Sequence, residues 1–433
     1  MAKRKLAVFF FFLWAVMAAQ DNKTTIIATD VTNFWNAYDK ITATTDSVKQ
    51  YDILQKMYFD KGTEGLKNIM QARRYTAKDY IKAINNYPEF WKSIRKNTLQ
   101  TKKLASEIEH DIARLKAAYP ALRPVPVYFT IGAFRTNGTI LDNTVLIGSE
   151  MALADKATVI SELPENLHYF YKTFTPIKEI GLLCTHEYVH TQQKTLTGSL
   201  LYYCLYEGVA EFVSTKVTGK PAATPAIAFG KKHEKAVREQ FEKEMQVMDN
   251  TYNWIWGINQ NDLKERDLGY YIGYAICERY YEMAADKKQA LKEMIELDYT
   301  HEKEVAAFVD KTKFFSRTLA QMETDYDNAR PQVVSVTPFS DGSKNVSPGP
   351  VRITLHFSEV MHKNFRGFDF GPLGEEHVLR VANVIGFSED GKSFTFEADL
   401  KPGKHYQSYA TSRFRTVDGI RLKPYLIDIQ TAE

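Results

Sequence analysis

The spacing of apolar residues along this chain changes near Arg330-Pro331, and this change limits the folds that the chain can adopt. Before this point apolar residues recur at three- and four-residue steps, for example from Ile94 to Leu115, which predicts α-helices. Beyond it the segment 351–357 alternates apolar and polar residues, which predicts a β-strand with one buried face. A single core rarely grows beyond about 300 residues. The change of period within 433 residues therefore predicts an α+β protein of two domains.

The first part of the chain is predicted to be helical from about residue 30 to 118 and again from about 176 to 320. Between these regions, the segments 125–131 and 144–148 are rich in β-branched and aromatic residues, which predicts two strands. Asn137-Gly138 between them is typical of a tight turn. We therefore expect a small β-sheet within a mainly helical domain.

The last part of the chain carries turn residues at short intervals, and a second alternating segment, 393–397, follows one such turn. The other turn signals are Asp341-Gly342, Pro348-Gly349-Pro350, Pro402-Gly403 and Asp418-Gly419. Short strands at this spacing, without a helical period, are typical of an antiparallel β-sandwich. We expect residues 331–433 to form it.

The charge of the chain is nearly balanced, with 56 Lys and Arg against 53 Asp and Glu and a net charge of +3. Three of the basic residues occupy positions 3–5, and without them the balance is zero. A protein that binds nucleic acid needs a basic surface to contact the phosphates. We therefore expect no nucleic-acid partner.

The beginning of the chain has the parts of a secretory signal peptide: basic residues, an apolar run from Leu6 to Ala19, and a polar continuation. We expect residues 1–19 to be this peptide. The alternative is a membrane anchor, but the apolar run is shorter than the ~20 residues that a span needs. Later segments are not apolar for long enough to cross a bilayer, so the mature chain is expected to be exported without a transmembrane span. The predicted location is periplasmic, cell-surface or extracellular.

The cysteines are few and odd in number, which does not fit a disulfide framework. Cys184, Cys204 and Cys277 each lie in an apolar stretch, and this favours small, buried thiols. A bridge between Cys184 and Cys204 is the alternative that the spacing leaves open.

The segment His186-Glu187-Tyr188-Val189-His190 carries the most specific chemistry. On a helix, residues four apart leave the same face about one turn apart, so His186 and His190 suit one Zn²⁺ ion. Glu187 lies beside them and off the line that joins them, where a carboxylate accepts a proton from water activated by the metal. The alternative is an ordinary pair of histidines on a helix.

A second motif follows at Glu207-Gly208-Val209-Ala210-Glu211-Phe212. Its two carboxylates are four residues apart and share one face of the next predicted helix. Catalytic zinc takes three protein ligands and keeps a fourth position open, so Glu207 is a candidate third ligand. Glu211 could then accept the second N–H group of a histidine ligand. A solvated acidic face is the alternative, although apolar neighbours leave little room for solvent.

The two motifs together resemble those of the gluzincin metallopeptidases, which include thermolysin-like enzymes and zinc aminopeptidases. The resemblance implies a zincin-like catalytic domain, here residues 20–330, with His186, His190 and Glu207 as zinc ligands and Glu187 as general base. It implies Glu211 as the acid that supports a ligand. The spacing between the motifs is shorter than in those enzymes, which leaves open whether Glu207 or Glu211 reaches the metal. The arrangement is also similar to exported predicted Zn-dependent proteases of bacteria, and residues 331–433 are similar to bacterial Ig-like domains.

Two further features fit a peptidase. In gluzincins an edge strand near the metal pairs with the substrate backbone, and 144–148 is the candidate here. Tyr271 and Tyr274 are three residues apart and could share a helix face as donors to the oxygen of the tetrahedral intermediate. Core packing is the alternative for both tyrosines.

The sequence thus predicts an exported zinc-dependent peptidase that acts on a peptide or protein substrate, with an endopeptidase favoured. One alternative is a surface binding protein that keeps a structural zinc site without catalysis. The other is a zinc hydrolase of a non-peptide substrate. The sequence gives no indication of the oligomeric state.

Overall fold

The computed structural model describes residues 24–433, so the predicted signal peptide lies outside the described residues. The chain divides into two compact units. One contains the described residues up to Gln192 together with Val213–Ala223, and the other contains Gln193–Phe212 and Thr224–Glu433. Within residues 24–433, none of the helices combines the length and the apolar content that a bilayer crossing requires.

The helices of the first unit confirm the helical region predicted before residue 118. They are α1 (Thr29–Ile41), α2 (Ser47–Leu54), α3 (Glu64–Arg73), α4 (Ala77–Asn86), α5 (Pro88–Thr98), α6 (Thr101–Ala118), α7 (Ser149–Ala152), α8 (Glu165–Thr173) and α9 (Ile180–His190). A π-helical turn at Gln55–Phe59 continues α2, and a 3-10 turn at Pro176–Glu179 precedes α9. Local signals start several of these helices, for example the capping box between Thr76 and Asp79.

The first unit also holds a four-stranded sheet in the order β1-β2-β4-β3. The strands are β1 (Ile26–Ile27), β2 (Val127–Thr130), β3 (Gly138–Leu141) and β4 (Thr144–Gly148). The two predicted strands, β2 and β4, are present, but they pair in parallel rather than as a hairpin. Asn137-Gly138 leads into the additional strand β3, and the chain reverses at Asp142, whose φ is 49°. Both β2 and β4 are fully buried, as is common for parallel strands.

The second unit begins with helices and ends with strands, and the change lies between Ala329 and Val333. Its helices are α11 (Pro225–Lys232), α12 (Glu234–Glu244), α13 (Thr251–Ile255), α14 (Leu268–Met283), α15 (Lys287–Ile295), α16 (Glu302–Lys311) and α17 (Leu319–Ala329). Helix α10 (Leu200–Thr218) begins in this unit and ends in the first. Helical structure is interrupted between Thr218 and Pro225 and again between Ile255 and Leu268.

The end of the second unit is all-β, as predicted. Its strands are β5 (Val333–Thr337), β6 (Gly349–Phe357), β7 (Phe368–Phe370), β8 (Asn383–Phe387), β9 (Ser393–Leu400), β10 (His405–Ala410) and β11 (Tyr425–Gln430). They form antiparallel sheets in the orders β5-β6-β9-β8 and β11-β10-β7. Buried residues of both sheets, among them Phe396 and Ile427, share one hydrophobic core. If the strands β5 to β11 are renumbered 1 to 7 in chain order, the two sheets have the orders 1-2-5-4 and 7-6-3. Constant-type immunoglobulin sandwiches have the same strand orders.

Candidate metal centre

Helix α9, which carries the first motif, is held against α6 near its beginning. A Cβ atom at Gly181 would lie 2.2 Å from the Asp111 carboxylate, so only glycine permits this approach. Asp111 in turn binds the Lys220 ammonium group at 2.7 Å, and Glu107 binds the same group at 2.6 Å. This ion-pair cluster ties α6 to the residues that follow α10, and it fixes the start of the helix that carries the histidines.

The two histidines of α9 face each other as the four-residue spacing predicts. Their Nε2 atoms are 3.0 Å apart, and the ring planes are inclined by 80°. Two nitrogens bound to one tetrahedral zinc ion at ~2.0–2.1 Å would be roughly 3.3 Å apart. The observed pair therefore fits a shared ion with only a small adjustment.

The third member of the cluster is Glu207 on α10. The candidate ligand atoms of His186, His190 and Glu207 all lie within 4.8 Å of one another. His190 is buried, and the other two residues are half-buried. Three protein ligands of this kind leave one coordination position for water or substrate, as catalytic zinc requires. The residues present therefore fit a zinc ion. Glu211, one turn further on, is buried, with 5% of its surface exposed.

Glu187 lies directly against the edge strand of the first sheet. A Cβ atom at Gly138, the first residue of β3, would lie 2.6 Å from Glu187 Oε1. The prediction that 144–148 is the edge strand was wrong, because β4 lies between β2 and β3. The edge strand beside the carboxylate is β3, a short strand that begins with glycine and therefore gives only a weak sequence signal.

The loop before β3 is held by Glu150, a residue that was not among the predicted site residues. Glu150 is fully buried and accepts hydrogen bonds from the backbone N–H groups of Gly132 at 2.8 Å and Phe134 at 3.1 Å. Burial raises the pKa of Glu150 to about 7. The Tyr75 hydroxyl accepts the N–H of Arg135 in the same loop. These contacts set the path by which the chain enters the edge strand.

The glycines of the second motif permit a backbone contact between α10 and α14. A Cβ atom at Gly208 would lie 2.2 Å from the carbonyl carbon of Gly273, and one at Gly273 would lie 1.8 Å from the Cys204 carbonyl oxygen. Since Gly208 follows Glu207, this contact brings the beginning of α14 close to the candidate ligand.

The tyrosine next to Glu207 is Tyr270, which was not one of the two tyrosines predicted as donors. Its hydroxyl forms a hydrogen bond with the Glu207 carboxylate. Burial and the charge of Glu207 raise the pKa of Tyr270 well above its ordinary value. Tyrosines stand at positions 270, 271 and 274. Which of them meets Glu207 depends on how α14 crosses α10, and the sequence does not reveal this crossing.

The two tyrosines predicted as donors have other described contacts. Tyr271 donates a hydrogen bond to Glu234 Oε2 at 2.9 Å. The Tyr274 ring packs edge-on against Phe212, and the Lys231 ammonium group lies 4.9 Å from its centre. Their role toward a reaction intermediate stays a prediction.

The cysteines are free thiols and all three are buried, which confirms the preferred interpretation. Burial raises the pKa of Cys184 and of Cys204 far above the ordinary value of a thiol. A thiol that stays protonated at neutral pH is a poor metal ligand, because zinc binds the thiolate.

Part of the chain is similar to a family of known proteins. The model of a family described as predicted Zn-dependent protease (DUF2268) matches residues 145–301, a range that contains both motifs. No curated protein matches the chain. Among solved structures, the S-layer protein rSbsC(31-844) matches with 12% identity and a TM-score of 0.18, over 76% of this chain and 46% of that one. The chain thus spans about half of that structure, and a TM-score this low supports no conclusion. The family match and the His-His-Glu cluster together support a zinc protease.

Proposed function

We propose that this protein is an exported zinc peptidase in which His186, His190 and Glu207 bind the metal and Glu187 is the general base. The observation that carries the proposal is the cluster of three ligand atoms within 4.8 Å of one another. The family match supports it, because it covers these residues and names a predicted Zn-dependent protease. The apolar N-terminal segment supports export.

A zinc ion bound at this site would polarise the scissile carbonyl group and lower the pKa of a bound water toward ~7. Glu187 would accept the proton of the attacking water and then donate it to the departing amine. Its burial, with 8% of its surface exposed, keeps this carboxylate out of bulk water. Among the described strands, β3 is the last of its sheet, so its backbone could be joined by an extended peptide, which favours a peptide substrate.

Two residues support the ligands in this proposal. The Tyr270 hydroxyl donates a hydrogen bond to the Glu207 carboxylate and thereby orients it toward the cluster. Glu211 is one turn beyond Glu207 and buried, which suits a carboxylate that orients a histidine ligand. The fixed orientation of each ligand reduces the rearrangement that metal binding would otherwise demand.

The C-terminal residues 331–433 form an Ig-like domain in this proposal, as their strand orders and shared core support. The described contacts of this domain include ion pairs of Arg415 and Arg421 with Asp249, a residue of the helical part of the same unit. The domain is therefore expected to stay attached to that part rather than to move freely.

The test is metal analysis of the purified protein, combined with cleavage of a broad peptide library with and without a chelator. We expect about one zinc per chain, cleavage that stops on chelation, and recovery when zinc is returned. Protein that is prepared without chelators and holds no stoichiometric metal would contradict the proposal. Zinc without cleavage of any peptide would point to a structural site.

A further inference from the structure

The residues just before α14 expose several large apolar side chains within a short stretch of chain. They are Met248, Tyr252, Trp256 and Ile258. Trp256 and Ile258 each expose nearly half of their surface, 48% and 47%. Exposed apolar residues that gather in one place commonly mark a binding surface, whereas isolated ones need no explanation.

This stretch contacts α10 one turn before the candidate ligand Glu207. The ring of Trp256 packs edge-to-face against Tyr203, with 5.7 Å between the ring centres and an interplanar angle of 78°. Tyr203 and Glu207 are four residues apart on α10, so they leave the same face of the helix. The aromatic pair is therefore adjacent to the candidate metal cluster along this face.

The backbone that carries Trp256 is held at both ends. The Arg266 guanidinium group donates to the Trp256 carbonyl oxygen at 2.8 Å, and the Asp267 N–H group donates to the Gly257 carbonyl oxygen at 3.2 Å. On the other side, Asp249 forms ion pairs with Arg415 and with Arg421 of the C-terminal domain. An exposed side chain on a fixed backbone is organised for binding before its ligand arrives.

We infer that Tyr203 and Trp256 form a subsite that binds a large apolar side chain of the peptide substrate. This inference rests on the proposed function, because it names the substrate class of the same site. The ligand of this subsite follows from its position beside Glu207 on α10. When the carbonyl group of a peptide reaches the metal cluster, the neighbouring side chains of that peptide lie within reach of the same helix face. Aromatic rings in a fixed position bind aromatic and large aliphatic side chains by dispersion and by exclusion of water.

The kinetic test uses zinc-loaded protein and peptides in which each position is varied among Phe, Leu, Ala and Asp. Wild-type protein should prefer Phe or Leu over Ala at one position by about tenfold or more in kcat/KM. Trp256→Ala should reduce that preference to within about threefold, because kcat/KM should fall more for the Phe and Leu peptides than for the Ala peptides. Phe370→Ala is the control, since Phe370 is similarly exposed, at 49%, on β7 of the C-terminal domain.

A second measurement does not depend on cleavage. Of the tryptophans that the structure describes, Trp35, Trp91 and Trp254 are buried, so changes in exposed tryptophan emission report on Trp256. Addition of a Phe-containing peptide to the Glu187→Gln variant should shift the emission to shorter wavelength and reduce quenching by acrylamide. The double variant with Trp256→Phe should lose this change.

The possible failures can be told apart. Cleavage by Trp256→Ala with the wild-type preference, or an emission spectrum unaffected by peptide, would overturn this inference and leave the proposed function intact. If the zinc-loaded wild type cleaves no peptide, the proposed function fails and this inference fails with it. A Trp256→Leu variant that keeps part of the preference would support an apolar contact and argue against a purely structural role.

Discussion

Replacement of Gly138 by alanine tests the proposed arrangement without touching a ligand or the general base. The added methyl group would lie 2.6 Å from Glu187 Oε1, whereas ordinary contacts begin at 3.4 Å. The carboxylate must therefore move by about 0.8 Å if the strand stays in place. A displacement of ~1 Å at a reacting group can cost about 10²-fold in rate.

The expected result is a loss of roughly 10²-fold in kcat/KM with an unchanged zinc content. Overpacking usually lowers the free energy of unfolding by ~1–3 kcal/mol. We expect a value at the lower end of this range, because the end of the Glu187 side chain can move. Peptide cleavage, metal analysis and urea unfolding measure the three quantities. Gly62→Ala is a matched control, since its methyl group would lie 2.7 Å from Leu66 Cδ2, also a flexible side chain.

A Gly138→Ala variant that cleaves peptides as fast as the wild type, with normal zinc content and stability, would contradict the proposed role of Glu187. Such a result would mean that the position of Glu187 beside β3 has no influence on the reaction. Equal losses of activity in Gly138→Ala and Gly62→Ala would also refute it, because the effect would then come from a general disturbance of the unit.

Three further predictions concern the site and its support. Glu187→Gln should keep zinc and fold but lose about 10²–10⁴ in rate, as measured with the same peptides, because an amide cannot accept the proton of water. Glu207→Ala should abolish zinc binding in competition titrations, whereas Glu211→Ala and Tyr270→Phe should each weaken it by roughly 10–100-fold; the reverse order for the two acids would exchange their roles. Glu150 is protonated more readily in the folded state, since burial raises its pKa from 4.5 to about 7. Its contribution to stability is therefore complete below pH 4.5 and is lost as the pH rises through 7, a change of about 3 kcal/mol. Glu150→Gln should flatten this dependence in urea unfolding between pH 5 and 8, and an unchanged slope would contradict the assignment.

The features that depend on local geometry could be predicted from the residues alone. The four-residue step between His186 and His190 places both rings on one face of any helix, and their Nε2 atoms do meet at 3.0 Å. The change from a helical to a two-residue period near Arg330 likewise located the all-β region. Helical and strand periods are properties of a few consecutive residues, so they can be read without knowledge of the rest of the chain.

The contacts between helices and strands could not be predicted in this way and became known from the folded structure. The edge strand beside Glu187 is β3 rather than β4, because strand order depends on which distant segments pair. Tyr270 forms a hydrogen bond with Glu207, and this pairing depends on how α14 packs against α10 at the backbone contact of Gly208 with Gly273. The joining of Glu207 to the two histidines also depends on the packing of separate helices. Such contacts form between residues far apart in sequence, so the periodicity of neighbouring residues does not reveal them.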